Sequence, residues 1–102
     1  MNQEILNKVT ELKKQLLTDG FIIEGIFGSY TRDDNNHHSD IDILYNLDKE
    51  FKERYRGFKA IARLDAIQKN ISTYLKIEAD LVQKSTLSEI SAKYILPEVY
   101  YV

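Results

Sequence analysis

Two aspartates separated by one residue, Asp40 and Asp42, open a stretch in which polar and apolar side chains alternate. On a β-strand, residues two apart project from the same face, so this spacing predicts two carboxylates lying side by side. Such a pair repels itself unless cations lie between the groups, and oxygen-only ligands favour hard ions such as Mg²⁺ or Mn²⁺. The spacing therefore indicates a divalent metal site. The alternative is a pair of solvated aspartates where a strand begins.

A third carboxylate, that of Asp80, lies inside the apolar run from Ala79 to Val82. A charged group within a strand needs a partner or a metal ion, because its transfer from water into an apolar environment is costly. If this strand lies beside the one that carries Asp42, Asp80 becomes a third candidate ligand. By itself it would be an ordinary carboxylate on an edge strand.

Phosphate binding is indicated by Gly28 and Ser29, which end the apolar run Phe21–Phe27. Gly28 has no Cβ and lets the backbone approach a ligand closely, while Ser29 offers a hydroxyl and an amide at what could be a helix start. A Gly-Ser pair alone more often marks an ordinary turn. Together with three carboxylates and the nearby Arg32, however, it fits metal-assisted phosphoryl or nucleotidyl transfer.

The elements that would position these residues follow from the periodicity of apolar side chains. Helical spacing covers residues 3–18, 58–75 and 87–95, and short β-forming runs cover 21–27, 40–45, 77–82 and 99–102. The polar segment 31–39 is predicted as a solvated loop, the charged segment 48–56 as a loop or an extra turn, and Thr86–Glu89 as a capping box. This order predicts an α/β (α+β) domain, a small mixed β-sheet flanked by helices.

Composition limits the classes of protein to which this chain can belong. Its 102 residues, 43% of them hydrophobic, predict one domain over residues 1–102 with one core. A net charge of −2 gives no general attraction to nucleic acid or anionic membranes, so direct nucleic-acid binding is not expected. The lack of cysteine excludes disulfides, thiolate metal sites and cysteine nucleophiles. Without a long apolar segment or a signal peptide, we expect a soluble, cytoplasmic protein.

The spacing of the candidate site residues carries a resemblance to a known family. Gly28-Ser29, ten intervening residues and Asp40-Ile41-Asp42 resemble the GS-x10-D-x-D signature of the polymerase β nucleotidyltransferase superfamily. The fuller string, Gly-Ser-Tyr-Thr-Arg followed by Ser-Asp-Ile-Asp-Ile-Leu, is similar to the minimal nucleotidyltransferases, its stand-alone bacterial and archaeal branch. The order of elements in that family covers almost the whole chain, so the resemblance implies a nucleotidyltransferase fold.

The resemblance also implies a role for each site residue. Asp40 and Asp42 would bind the metal pair, and Asp80 would complete the metal site and help the acceptor hydroxyl to lose its proton. ATP is the implied substrate, and the residues that would contact its phosphates or the rest of the nucleotide are Gly28, Ser29, Arg32 and Ser39.

The residue after the arginine departs from the family pattern. Many members have glycine there, whereas this chain has Asp33. A residue with a restricted φ and a negative charge could alter the loop or weaken triphosphate binding, although no metal ligand is lost.

Minimal nucleotidyltransferases are commonly paired with HEPN-domain proteins in toxin–antitoxin modules. The resemblance therefore implies an antitoxin that transfers AMP from ATP to a tyrosine of a HEPN toxin. One alternative is a nucleotidyltransferase for small molecules such as aminoglycosides, which would require its own acceptor pocket and hence a homodimer. Another is a non-catalytic binding partner of a HEPN protein. Tyr94, Tyr100 and Tyr101 cluster near the C-terminus, where core packing could explain some of them, and Tyr100 and Tyr101 could form a partner surface.

Two further groups have weaker claims to function. His37 and His38 could be ligands or proton carriers, or simply a solvated pair in a loop. Arg56, Lys59 and Arg63 recur at helical spacing and could face RNA or a polyphosphate tail, but interspersed acidic residues favour a solvated helix face.

Overall fold

The computed structural model describes residues 2–32 and 40–102, which form helices packed on one four-stranded sheet. The helices are α1 (Gln3–Leu17), α2 (Ser29–Arg32), α3 (Lys49–Arg54), α4 (Phe58–Leu75) and α5 (Glu89–Ile95). The strands are β1 (Phe21–Phe27), β2 (Ile41–Leu47), β3 (Ala79–Gln83) and β4 (Tyr100–Tyr101), and short 3₁₀ turns cover Lys84–Thr86 and Leu96–Glu98. No helix within the described part of the chain is both long and apolar enough to cross a membrane.

The sheet is mixed, as predicted, with the strand order β3-β2-β1-β4. Strand β1 runs antiparallel to β2 and β4, whereas β2 and β3 are parallel. Phe27 pairs with Asp42, and Asp42 pairs with Asp80. The end of β1 and the beginnings of β2 and β3 therefore meet at one edge of the molecule, which we call the aspartate end of the sheet.

The core lies between the sheet and the two long helices. Helix α1 packs on β1, and α4 packs on both β3 and α1, so the two helices cover one face. The buried side chains that the helices contribute are Val9, Leu12 and Leu16 from α1 and Ile67, Ile71 and Leu75 from α4. Burial of these apolar side chains holds the helices against the strands and fixes the backbone of the aspartate end.

Helix α4 buries only some of its apolar residues. Its length agrees with the prediction, but Phe58 and Ile61 are 89% and 66% exposed. The face that contacts the core includes Ala60, Leu64 and Ile67. At about 100° per residue, Phe58 and Ile61 project from other sides of the helix, so only part of the apolar spacing that predicts a helix over 58–75 corresponds to buried positions.

Three local predictions also needed correction. Thr31 and Arg32 belong to α2 rather than to a loop, and residues 33–39 lie outside the described part of the chain. The charged segment 48–56 contains the helix α3, whose start is capped by Asp48. Thr86 lies in a 3₁₀ turn, while Ser88 caps α5 by accepting a hydrogen bond from the Ser91 N–H at 3.1 Å. The capping-box spacing was satisfied in sequence, but the helix begins two residues later.

Candidate functional site

The turn between β1 and α2 presents the Gly-Ser pair. Gly28 adopts a φ of +83°, and its carbonyl accepts two hydrogen bonds from Thr31, one from the hydroxyl at 2.7 Å and one from the N–H at 3.1 Å. The Tyr30 side chain is buried and anchors the short helix in the core. Ser29 is therefore held, half-exposed, at a turn whose backbone is fixed on both sides.

Gly28 lies directly against Asp42. A Cβ atom built on Gly28 would stand 2.3 Å from Oδ2 of Asp42, far inside van der Waals contact. Together with the positive φ, this contact means that only glycine lets the turn and the carboxylate occupy their observed positions. The Gly-Ser turn and Asp42 thus form one local assembly.

The three candidate aspartates meet at the aspartate end of the sheet. Asp42 and Asp80 occupy paired positions on neighbouring parallel strands, and Asp40 directly precedes β2. Asp42 is half-buried, while Asp40 and Asp80 are exposed. Strand β3 is an edge strand, which agrees with the alternative that Asp80 is an ordinary carboxylate on an edge strand. Asp80 is not isolated there, however, because Asp42 lies beside it.

The electrostatics of this cluster act on Asp42 most strongly. Burial raises the pKa of its carboxyl group, the negative charges of Asp80 and Asp40 raise it further, and the positive charge of Arg32 lowers it. The charged form of Asp42 is therefore disfavoured where it stands. A cation held among the three carboxylates would relieve both the repulsion and the cost of burial.

The donor set fits a hard divalent ion, since it consists of carboxylate oxygens beside a turn that could accept phosphates. Within residues 2–32 and 40–102, however, no three His, Cys, Asp or Glu side chains are already gathered closely enough to hold a metal ion. The assignment of Asp40, Asp42 and Asp80 as metal ligands stays a prediction.

Arg32, the last residue of α2, forms an ion pair with Glu98 at 3.3 Å. Both side chains are about half exposed. Glu98 is 66 residues away along the chain, so no local pattern could have identified it. The pair connects the Gly-Ser turn with the segment that leads into β4. The roles of Gly28, Ser29 and Arg32 towards phosphate stay predictions, and Ser39, Asp33, His37 and His38 lie outside the described residues.

The three basic residues with helical spacing, of which Arg56 precedes α4 and Lys59 and Arg63 belong to it, have different environments. Arg63 donates from Nε to Oδ2 of Asp19 at 2.7 Å, at the end of the sheet opposite to the aspartate end. Arg56 and Lys59 are exposed. Arg63 therefore acts within the protein, and the three residues do not form a shared basic face.

The tyrosines near the C-terminus are exposed rather than packed in the core. Tyr94 is 70% exposed, Tyr100 48% and Tyr101 54%. Of the two interpretations that the sequence left open, burial in the core does not apply to these three side chains.

Comparison with known proteins identifies the family. Residues 5–99 match the family model described as a nucleotidyltransferase domain. The chain belongs to the nucleotidyltransferase family. It is also 32% identical, over 101 residues, to the protein adenylyltransferase MntA of Thermococcus cleftensis, a match that covers 98% of this chain and 94% of MntA.

Two solved structures share the nucleotidyltransferase fold. A minimal nucleotidyltransferase superposes with a TM-score of 0.73 at 21% identity, covering 100% of this chain and 97% of the other. A toxin–antitoxin structure with AMP-PNP gives a TM-score of 0.67 at 22% identity, covering 93% of this chain and 69% of the other. The resemblance to minimal nucleotidyltransferases that the motif predicted is thereby confirmed at the level of family and fold.

Proposed function

We propose that this nucleotidyltransferase is a Mg²⁺-dependent protein adenylyltransferase. In this proposal it transfers AMP from ATP to a tyrosine hydroxyl of a HEPN-domain toxin and so acts as the antitoxin of the pair. The relative MntA supports protein as the acceptor, and the toxin–antitoxin structure supports a toxin partner. A cytoplasmic location belongs to the same proposal, because ATP and a co-produced toxin would both be met there.

One observation carries the proposal: Asp42 pairs with Asp80 on a neighbouring strand, and Gly28 lies against Asp42. This arrangement puts a candidate proton acceptor, a candidate metal ligand and a candidate phosphate-binding turn within one end of the sheet. Transfer of a nucleotidyl group needs all three functions at adjacent positions.

Each residue has a defined task in the proposed reaction. Gly28 and Ser29 hold the β- and γ-phosphates through backbone amides and the Ser29 hydroxyl. Asp40 and Asp42 would hold Mg²⁺, which supplies charge neutralisation for the triphosphate and the leaving group. Asp80, exposed at the edge of the sheet, faces an incoming acceptor without a covering strand.

The bonds formed and broken balance without a further reactant. The tyrosine hydroxyl oxygen forms a bond to the α-phosphorus of ATP, and the bond from that phosphorus to the oxygen shared with the β-phosphate breaks. Pyrophosphate leaves with the bonding electron pair, and AMP stays on the tyrosine as a phosphodiester. Asp80 takes the hydroxyl proton and passes it to solvent.

The acceptor is proposed to come from a second molecule. The helices and strands of the described residues form the sheet, its two covering helices and the connections between them. No additional domain that could bind an acceptor is present among the described residues. A reaction site of this kind gains its orientation from the docked partner.

The test is incubation of the purified chain with ATP, Mg²⁺ and the HEPN protein encoded beside it, followed by intact-protein mass spectrometry. We expect the HEPN protein to gain the mass of one adenylyl group per transfer. Asp40→Asn and Asp42→Asn should abolish this gain while leaving association intact. Asp65→Asn is the control, because Asp65 is exposed on α4 and pairs only with Lys69 among the described residues.

Two outcomes would favour the alternatives. If the Asp42→Asn variant neutralises the toxin fully, the protein acts by steric occlusion and the enzymatic proposal is wrong. If an added aminoglycoside becomes labelled and the HEPN protein does not, the small-molecule reaction is correct.

A further inference from the structure

The strand that carries Asp80 is held by the sheet on only one side. Strand β3 is an edge strand whose neighbour is β2, and the N–H of Ile41 donates to the carbonyl of Glu78 at 2.9 Å on that side. Asp80 is the second residue of β3. An edge strand with one partner needs other contacts if the side chain at its beginning is to stay in place.

Ser72 of α4 supplies one such contact. Its Oγ accepts a hydrogen bond from the N–H of Ala79, the residue before Asp80, at 2.9 Å. The main-chain carbonyl of Ser72 also accepts from the N–H groups of Lys76 and Ile77, the latter at 3.3 Å. One residue of the helix therefore fixes the whole turn that leads from α4 into β3.

Gln68, one helical turn earlier, supplies the second contact. Its Nε2 lies 2.9 Å from the carbonyl oxygen of Ala79, 3.1 Å from the Ser72 Oγ and 2.8 Å from Oε1 of Glu78, so its two N–H hydrogens are shared among three acceptors. Both backbone polar groups of Ala79 are thus bound by side chains of α4. Because Ala79 is itself buried, leaving either group unpaired would be costly.

The helix that provides these side chains is rigidly seated. Ile71 is fully buried and Leu75 nearly so, and they lie within one turn of Ser72. Helix α4 therefore fixes the position of Ala79 relative to the core, and β2 fixes it relative to the sheet. Asp80 is the next residue, so its carboxylate is located relative to Asp42 by these two supports.

We infer that Gln68 and Ser72 are positioning residues for Asp80 in the transfer reaction. The inference rests on the proposed function, in which Asp80 accepts the proton of the acceptor hydroxyl. Neither side chain touches a reacting group, and both act through the backbone of Ala79.

The variants Ser72→Ala and Gln68→Met test this role. We expect each to lower kcat for AMP transfer about tenfold while the KM for ATP stays within about twofold, since small displacements of a reacting group reduce the rate of chemistry steeply. The KM should be spared because the phosphates are assigned to the turn after β1, two strands away. Ser72→Thr keeps the hydroxyl and should restore kcat.

The chain offers a matched control on the same strand. At the other end of β3, Gln83 donates from Nε2 to the Ser85 Oγ at 3.1 Å, in an exposed position. Gln83→Met and Ser85→Ala remove the same chemical groups without contacting Ala79. We expect wild-type kcat in both, and circular dichroism of all variants would give the folded fraction by which kcat is corrected.

The possible failures are distinguishable. Unchanged kcat in Ser72→Ala and Gln68→Met, with activity abolished in Asp80→Asn, overturns the positioning role and leaves the proposed function standing. A loss of activity that disappears after correction for the folded fraction, or that Ser72→Thr does not restore, also overturns it. Wild-type transfer by Asp80→Asn removes Asp80 from the reaction and overturns the positioning role, whereas no AMP transfer by the wild-type protein overturns the proposed function.

Discussion

The contact between Gly28 and Asp42 determines what each residue can do. The carboxylate of Asp42 occupies the space that a side chain at position 28 would need. The spacing of the motif predicted that the two residues cooperate, but it could not predict that they touch. That information resides in the antiparallel register that pairs Phe27 with Asp42.

Gly28→Ala should therefore disturb the site rather than the fold alone. The new methyl group would displace the Asp42 carboxylate, and we expect a loss of AMP transfer of about 100-fold, in line with the cost of misplacing a reacting group. Gly57→Ala is a matched control, since Gly57 also has a positive φ, +56°, but has nothing within 4 Å of its would-be Cβ. It should cost about 1 to 3 kcal/mol of stability, because residues other than glycine rarely adopt a φ of +56° with a ψ of −126°, and no activity per folded molecule. Equal transfer rates for the two variants would contradict this assignment.

Asp42→Asn should stabilise the metal-free protein. Burial and the charges of Asp80 and Asp40 raise the pKa of Asp42, so its ionised form is less stable in the folded chain than in the unfolded one. The neutral amide removes that penalty at neutral pH, and Tm without metal should rise. Wild-type protein should gain Tm on addition of Mg²⁺, and the variant should gain less.

Calorimetry with and without millimolar Mg²⁺ would measure both effects. Asp65→Asn, on the exposed side of α4, should change neither quantity. If Mg²⁺ does not change the Tm of the wild-type protein even with nucleotide present, this would count against a metal site at these carboxylates.

At the level of elements, periodicity predicted the long helices and most strands, since a continuous apolar face is a local property of the sequence. Periodicity failed where tertiary contacts determine which residues are buried or where a helix begins. Phe58 and Ile61 are apolar but lie off the buried face of α4, and nothing in the local sequence says which side of the helix meets the sheet. The use of Ser88 rather than Thr86 as the N-cap of α5 likewise depends on the preceding 3₁₀ turn.

A cluster of hydrogen bonds that joins several elements, and that the sequence did not predict, is centred on Asp19, between α1 and β1. Asp19 is only 9% exposed, and its carboxylate accepts hydrogen bonds from Arg54 at 3.1 Å, Tyr55 at 2.7 Å and Arg63 at 2.7 Å. These partners are 35 to 44 residues away in sequence. An aspartate before a glycine resembles an ordinary turn, so no local signal distinguishes it.

Ionisation of Asp19 should make the free energy of unfolding depend on pH in the acidic range. Burial alone would raise its pKa, but the hydrogen bonds from Tyr55 and Arg63, the charge of Arg63 and the hydrogen bond from Arg54 outweigh burial and lower the pKa below 3.8. The stabilisation is therefore present above the unfolded pKa of about 3.9 and is lost as the pH falls through the folded value. Asp19→Asn should cost about 1 to 3 kcal/mol at pH 7, because the two arginines lose a charged acceptor.

Denaturant unfolding of both proteins between pH 7 and pH 2 would check this. The difference in unfolding free energy should be constant near neutrality and shrink below about pH 4, where Asp19 of the unfolded wild-type chain becomes protonated before that of the folded chain. A difference that does not change with pH would mean that Asp19 contributes through shape rather than charge.

At the scale of the whole molecule, large apolar side chains of the described residues are exposed both in the C-terminal segment and on the first turns of α4. We use the name C-terminal surface for the exposed side chains of Ile90, Tyr94, Tyr100 and Tyr101; the segment that carries them is linked to the site through β4, which pairs with β1, and through the Glu98–Arg32 ion pair. Phe58 and Ile61 lie on the first turns of α4, near the Asp19 cluster at the opposite end. Because the C-terminal segment contacts Arg32 whereas Phe58 and Ile61 lie at the opposite end, the proposed function favours the C-terminal surface as the docking site for an acceptor protein.

The C-terminal surface should therefore carry the docking of the HEPN protein, independently of the chemistry. The double variant Tyr94→Ala, Tyr101→Ala should weaken association about tenfold or more, because exposed tyrosines that become buried in an interface commonly dominate its energy. Phe58→Ala, Ile61→Ala removes equally exposed apolar groups at the far end and should leave association unchanged, which makes it the matched control. Titration calorimetry would give the affinities, and Asp40→Asn should bind like the wild type. If instead the α4 variant loses affinity and the tyrosine variant does not, the partner docks at the opposite end, and its acceptor hydroxyl must reach the aspartates from a distant contact.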